Sequence, residues 1–100
     1  MLVILWRFVV RPEQLDAFIE HYDNDGSWVR LLRAGAGYRG TELIRSTNEP
    51  ATFITIDRWD SLKSFEQFKR EHDQEYNRLD KRCQALTVHE ELLGHYETLV

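Results

Sequence analysis

The stretch FITIDRWDSLKSFEQFKREH, Phe53–His72, decides how this chain folds. In its first half, Ile54 and Ile56 point to one side of an extended backbone, and Phe53 and Trp59 to the other. Both sides are apolar, so this strand is expected to be covered on both faces. Asp60 or Ser61 then caps a helix predicted over Leu62–Cys83. Phe65, Phe68, His72, Tyr76, Leu79 and Cys83 recur at steps of three and four residues, forming one inward stripe on a helix otherwise charged or polar.

Upstream of this stretch, the turn Thr47-Asn48-Glu49-Pro50 joins the strand Thr52–Trp59 to an earlier strand, Tyr38–Ser46, as a hairpin. Before that, GAGYRG (Gly35–Gly40) spells G-x-G-x-x-G. A dinucleotide fingerprint needs a strand before it and a helix after it, and here the order is reversed. The glycines read as a helix stop and a turn.

At the N-terminal side, Leu2–Val10 carries Leu2, Ile4, Trp6, Phe8 and Val10 on one face, and Val3, Leu5 and Val9 on the other, broken only by Arg7. Pro12 opens a helix with the stripe Leu15, Phe18, Ile19 and Tyr22, ending near Asp23–Gly26. Ser27 caps a second, short helix that carries Trp28, Leu31 and Leu32 and stops at Gly35. Downstream, Thr87-x-x-Glu90 has the form of a capping box, which predicts a helical turn ended by Gly94 and a last strand over His95–Leu99.

The order strand, helices, strand, strand, helix, strand is the ferredoxin-like split β-α-β-β-α-β pattern, an α+β fold with an antiparallel sheet, in a single domain over 1–100. Right-handed crossovers place the helices on one face. The helix-free face is also apolar, and this chain has no element left to cover it. A homodimer through that face is expected.

Composition narrows the function. With 42% hydrophobic and 30% charged residues, the 100-residue chain is an ordinary globular domain. A formal charge of −4, with arginines scattered among acids, argues against nucleic acid as a partner. The apolar start MLVILWRFVV meets Arg11 and Pro12 too soon for a membrane span and lacks a basic leader, so it reads as a buried strand. The lone Cys83 suits a reducing compartment, and a cytoplasmic protein is expected.

The succession GYRGTEL, FITIDRWDS and a Phe-rich helix resembles the antibiotic biosynthesis monooxygenase superfamily, the dimeric α/β-barrel proteins. The resemblance covers nearly the whole chain. It implies a ferredoxin-like protomer, a dimer whose sheets form a barrel, and a cavity between sheet and helices. It also implies cofactor-independent monooxygenation of a quinol-like aromatic molecule, or haem degradation.

His72, polar within an apolar stripe, is the expected catalytic residue, as a proton carrier; a core histidine satisfied by a polar neighbour is the plainer alternative. Tyr22, Trp28, Trp59, Phe68 and Tyr76 are expected to bind a small aromatic substrate, although aromatics at helical spacing also simply fill cores. The haem-degrading relatives use an asparagine on the first strand, with a tryptophan and a histidine on the last long helix. Here the first strand offers Trp6, Arg7 and Phe8, Phe68 stands near the tryptophan position, and only His72 has a counterpart. Haem is therefore disfavoured and no cofactor is expected. His89, His95 and Cys83 lack partners at ligand or triad spacing, so no metal is expected. Asp57 and Arg58 point to opposite faces and do not pair. The rival reading is a non-catalytic ligand-binding or structural dimer on the same scaffold.

Overall fold

The computed structural model describes residues 1–99. Four strands, β1 (Leu2–Val10), β2 (Tyr38–Arg45), β3 (Thr52–Trp59) and β4 (Thr87–Glu97), form one antiparallel sheet in the order β2-β3-β1-β4. Four helices, α1 (Leu15–Tyr22), α2 (Ser27–Leu32), α3 (Leu62–Glu71) and α4 (Asp73–Cys83), carry the residues that pack on one face of it. This is the ferredoxin-like α+β arrangement that the element order predicts. None of the described helices is long and apolar enough to cross a membrane.

Register explains the packing. Ile4 pairs with Asp57 and Phe8 with Phe53, so the even positions of β1 share the helix side with the odd positions of β3. Leu2, Ile4, Phe8 and Val10 are buried there, while Val3, Leu5 and Val9 on the other face stay partly exposed. The helix side holds two adjoining clusters. In one, Phe8, Phe18, Tyr22 and Phe53 pack together, with Phe18 and Tyr22 rings stacked at 4.3 Å. In the other, Trp59 and Phe68 meet at 5.2 Å beside Leu2, Ile4 and Leu32. The Trp59 ring sets the approach of the chain after α2, because a Cβ on Gly35 would lie 2.7 Å from its ring carbons.

Three local expectations are corrected. The helix expected over Leu62–Cys83 is two helices, interrupted at His72, whose φ of −121° and ψ of 30° leave the helical region. Each half carries its own end charges, Lys69 and Arg70 closing α3 and Asp73 and Glu75 opening α4, as two separate helix dipoles favour. The Thr87-x-x-Glu90 turn is instead the start of β4, which pairs with β1 from Val10 to Leu2. The open edge of β1 supplies more hydrogen bonds than one helical turn could, and the strand begins eight positions before His95. Gly94 is not a stop: at φ +151° it pairs with Leu5, next to a register shift. Finally, Gly26 holds the N-cap of α2, and Ser27 is its first residue, with Oγ 2.8 Å from His21 Nδ1. A capping box does form at Ser61 and Ser64, where each side chain bonds the other's backbone N–H and starts α3.

Candidate functional site

Between sheet and helices lies a cavity of about 270 Å³. Its floor is Ile4, Trp6 and Phe8 of β1, with Thr55 and Asp57 of β3, Thr41 of β2 and Glu90 of β4. Its roof is Tyr22 of α1, Trp28 and Leu32 of α2, Phe65 and Lys69 of α3, and Tyr76, Asn77 and Asp80 of α4. Each strand residue is there by parity, since all face the helix side of the sheet. The aromatic walls interlock: Phe8 meets Tyr22 at 4.8 Å, and Trp28 meets Tyr76 edge-on at 5.0 Å.

The polar centre of this cavity is Asp57. Thr41 Oγ1 donates a hydrogen bond to its Oδ1 at 2.6 Å, and the Tyr38 hydroxyl lies 2.5 Å from the same Thr41 oxygen. Burial pushes the Asp57 carboxyl up to about 6, against the opposing pull of the Thr41 hydrogen bond. Tyr76 is pushed up to about 12, chiefly by burial and further by Asp80, Asp57 and Glu90; Tyr22 is also raised, by burial first. Glu90 is raised by burial and by Asp80. The Lys69 ammonium lies 3.6 Å from the Tyr76 ring centroid, and burial lowers its pKa against the attraction of Asp80 and Asp73.

This arrangement joins a carboxylate poised to change protonation near neutral pH to an aromatic slot. Three of the residues expected from the sequence, Tyr22, Trp28 and Tyr76, line it together. Trp59 and Phe68 do not: they are buried at 0% and 1% exposure in the core cluster beside it. His72 also lies outside the lining. It sits at the break between α3 and α4, its ring stacked on Phe68 at 5.2 Å and its Nδ1 3.8 Å from Glu75. Asp57 and Thr41 were missed in the sequence, although the signal was there. Asp57 falls on the same side of its strand as Phe53, Thr55 and Trp59, an acid aimed at the helices.

Haem does not fit this lining. Among the described residues, no histidine, cysteine or methionine lines the cavity, and burial disfavours the phenolate form of Tyr22 and Tyr76 as an iron ligand. Among the described residues, no three His, Cys, Asp or Glu side chains gather as a metal site.

Over residues 1–76 the chain matches the sequence profile of the family described as antibiotic biosynthesis monooxygenase. Among solved structures it is similar to a Nitrosomonas europaea protein provisionally named an antibiotic biosynthesis monooxygenase, with TM-score 0.77 and 16% identity over 100% of both chains. It is similar to SnoaB from Streptomyces nogalater, a cofactor-independent oxygenase, with TM-score 0.74 and 15% identity over 99% of this chain and 93% of that one. Rv0793 from Mycobacterium tuberculosis matches with TM-score 0.72 and 17% identity, over 99% and 98% of the two chains. At such identities the likeness is one of fold. No curated protein sequence matches the chain.

Proposed function

The chain belongs to the antibiotic biosynthesis monooxygenase family, and on that premise we propose that it oxygenates a small phenol or quinol, with Asp57 as general base and no metal or flavin. The observation that carries this reading is the Asp57 carboxylate, held by Thr41 on the wall of an aromatic cavity. Its raised pKa narrows the gap to an ordinary phenol from about six units to about four, which favours proton transfer.

Asp57 takes the hydroxyl proton, and the phenolate gives one electron to dioxygen. The resulting phenoxyl radical and superoxide combine at a hydrogen-bearing ring carbon ortho or para to the oxygen. Asp57 returns its proton to the peroxide, and loss of the ring hydrogen with cleavage of the O–O bond yields a quinone and water. The aromatic walls hold the ring and keep bulk water away from the radical pair.

Oxygen uptake with dihydroxynaphthalenes and alkylhydroquinones tests this. Turnover is expected with the wild type, and Asp57→Asn is expected to lower it by about 10²–10⁴-fold while the fold is retained. Uptake by Asp57→Asn equal to that of the wild type would remove Asp57 from the chemistry. We further propose that the acting unit is a homodimer joined through the helix-free face of the sheet, where Val3, Leu5, Ile54 and Ile56 stay partly exposed and Ile44 is 42% exposed.

A further inference from the structure

In a regular strand, residues three apart point to opposite faces. Tyr38 and Thr41 do not. Tyr38 pairs with Trp59 and Thr41 with Asp57, and both partners face the helices. The spare residue is taken up at Arg39–Gly40, where the register shifts and Gly40 adopts φ +122°, a conformation that side-chain-bearing residues rarely accept. The bulge is clamped from outside: Arg39 donates to both oxygens of Asp60, at 2.5 and 3.0 Å, and the Asp60 N–H donates to the Gly37 carbonyl at 2.8 Å.

The bulge has a chemical result. Thr41 has one hydroxyl proton and gives it to Asp57, so in the Tyr38–Thr41 contact the proton belongs to Tyr38. Thr41 and Asp57 line the cavity, whereas Tyr38 stands outside it. We propose that Tyr38 is a positioning residue for the cavity's base: from outside the cavity it fixes the Thr41 hydroxyl on Asp57 Oδ1, leaving the second carboxylate oxygen for the substrate. This rests on the reading of Asp57 as the base. Hydrogen bonds in such a chain polarise one another, so the Tyr38 donor strengthens the Thr41 donor.

Other charged or titratable groups share the cavity with Asp57. Lys69 faces the cavity from α3, Tyr76 and Asp80 from α4, Glu90 from β4 and Tyr22 from α1, while Arg33 acts on Tyr38. None of these belongs to the hydroxyl chain, so a double-mutant cycle separates their influence from it.

The experiment is a carbon-13 NMR titration of the Asp57 carboxyl in the wild type, Tyr38→Phe, Thr41→Val, the double variant and Thr41→Ser. Loss of the Thr41 hydrogen bond is expected to raise the proton affinity of Asp57 about tenfold. Tyr38→Phe is expected to raise it about twofold to threefold. The double variant is expected to match Thr41→Val, and Thr41→Ser to stay near the wild type. An unchanged midpoint in Tyr38→Phe overturns the proposal. So does a Tyr38→Phe shift that persists in the Thr41→Val background. In turnover, the acid limb of kcat/KM is expected to move with the carbon-13 midpoint. Because the titration needs no turnover, a wild type that oxidises no phenol defeats the oxygenase reading while the cycle still decides what Tyr38 does.

Discussion

The Lys69 ammonium sits over the ring of Tyr76, 3.6 Å from its centroid, and among the described residues it is the one cation on a cavity wall that also bears Asp57, Asp80 and Glu90. Three carboxyl groups against one ammonium set a negative potential inside an aromatic slot. Neutral phenols and aromatic amines are therefore expected to bind at least about tenfold tighter than matched aromatic acids, a gap of about 1.4 kcal/mol. Quenching of tryptophan fluorescence by 2-naphthol, 2-naphthylamine and 2-naphthoate measures this directly, since Trp6 and Trp28 line the wall. Asp80→Asn is expected to narrow the gap. Naphthoate binding as tightly as naphthol would show that the carboxyl groups do not select.

The same carboxyl leaves a mark on stability. Asp57 titrates at about 6 in the folded chain, from a reference value of 3.8. Between those values the folded state holds the proton that the unfolded state has lost, so stability falls as pH rises through this window. Above it the full cost remains, on the order of 2–3 kcal/mol. Asp57→Asn is expected to melt above the wild type at pH 8, and to lose that advantage at pH 3.5. Parallel melting curves at both pH values would contradict the burial cost.

Gly35 makes a sharper packing prediction. An added Cβ would lie 2.7 Å from two ring carbons of Trp59 and 2.9 Å from the Phe68 ring, and Trp59 has no free surface into which to retreat. Gly35→Ala is expected to cost about 1–3 kcal/mol. Urea denaturation reads this as a lower midpoint at unchanged slope.

The proposed dimer is tested by placing charge on the helix-free face. Ile56 pairs with Leu5 at the centre of the sheet, on that face. Ile56→Glu is expected to halve the mass measured by light scattering while circular dichroism stays unchanged. A wild type that already runs as a monomer at micromolar concentration would refute the dimer.

The strand Thr52–Trp59 was legible because its parity is clean, with apolar residues on both faces, and the capped helix after it followed from spacing. The break at His72 was not, since neither proline nor glycine marks it, and the stripe of Phe68 and Tyr76 runs through it in phase. The letters of Thr87-x-x-Glu90 suit a helix start, but the free edge of β1 decides their conformation, and that edge is a tertiary fact. Cavity and core were indistinguishable in the same way. Phe68 and Tyr76 occupy one stripe, yet only Tyr76 reaches the open space, because Phe68 is taken up by Trp59. Asp57 was visible only to a reading that asked which way a lone acid points on a buried strand.

The confinement of Asp57, Thr41 and Tyr38 to one hairpin has a consequence for how such a protein changes over time. The carboxylate and the two hydroxyls behind it sit entirely on the β2–β3 hairpin. Asn77 and Asp80 in the roof, and Glu90 at the far edge of the floor, lie beyond residue 76, where the match to the family profile stops. On the proposed reading, the proton acceptor and part of the ligand-contacting wall therefore lie on separate segments of chain. Exchanging α4 and the start of β4 between relatives is expected to retune which molecule is accepted and to leave the proton acceptor as it was.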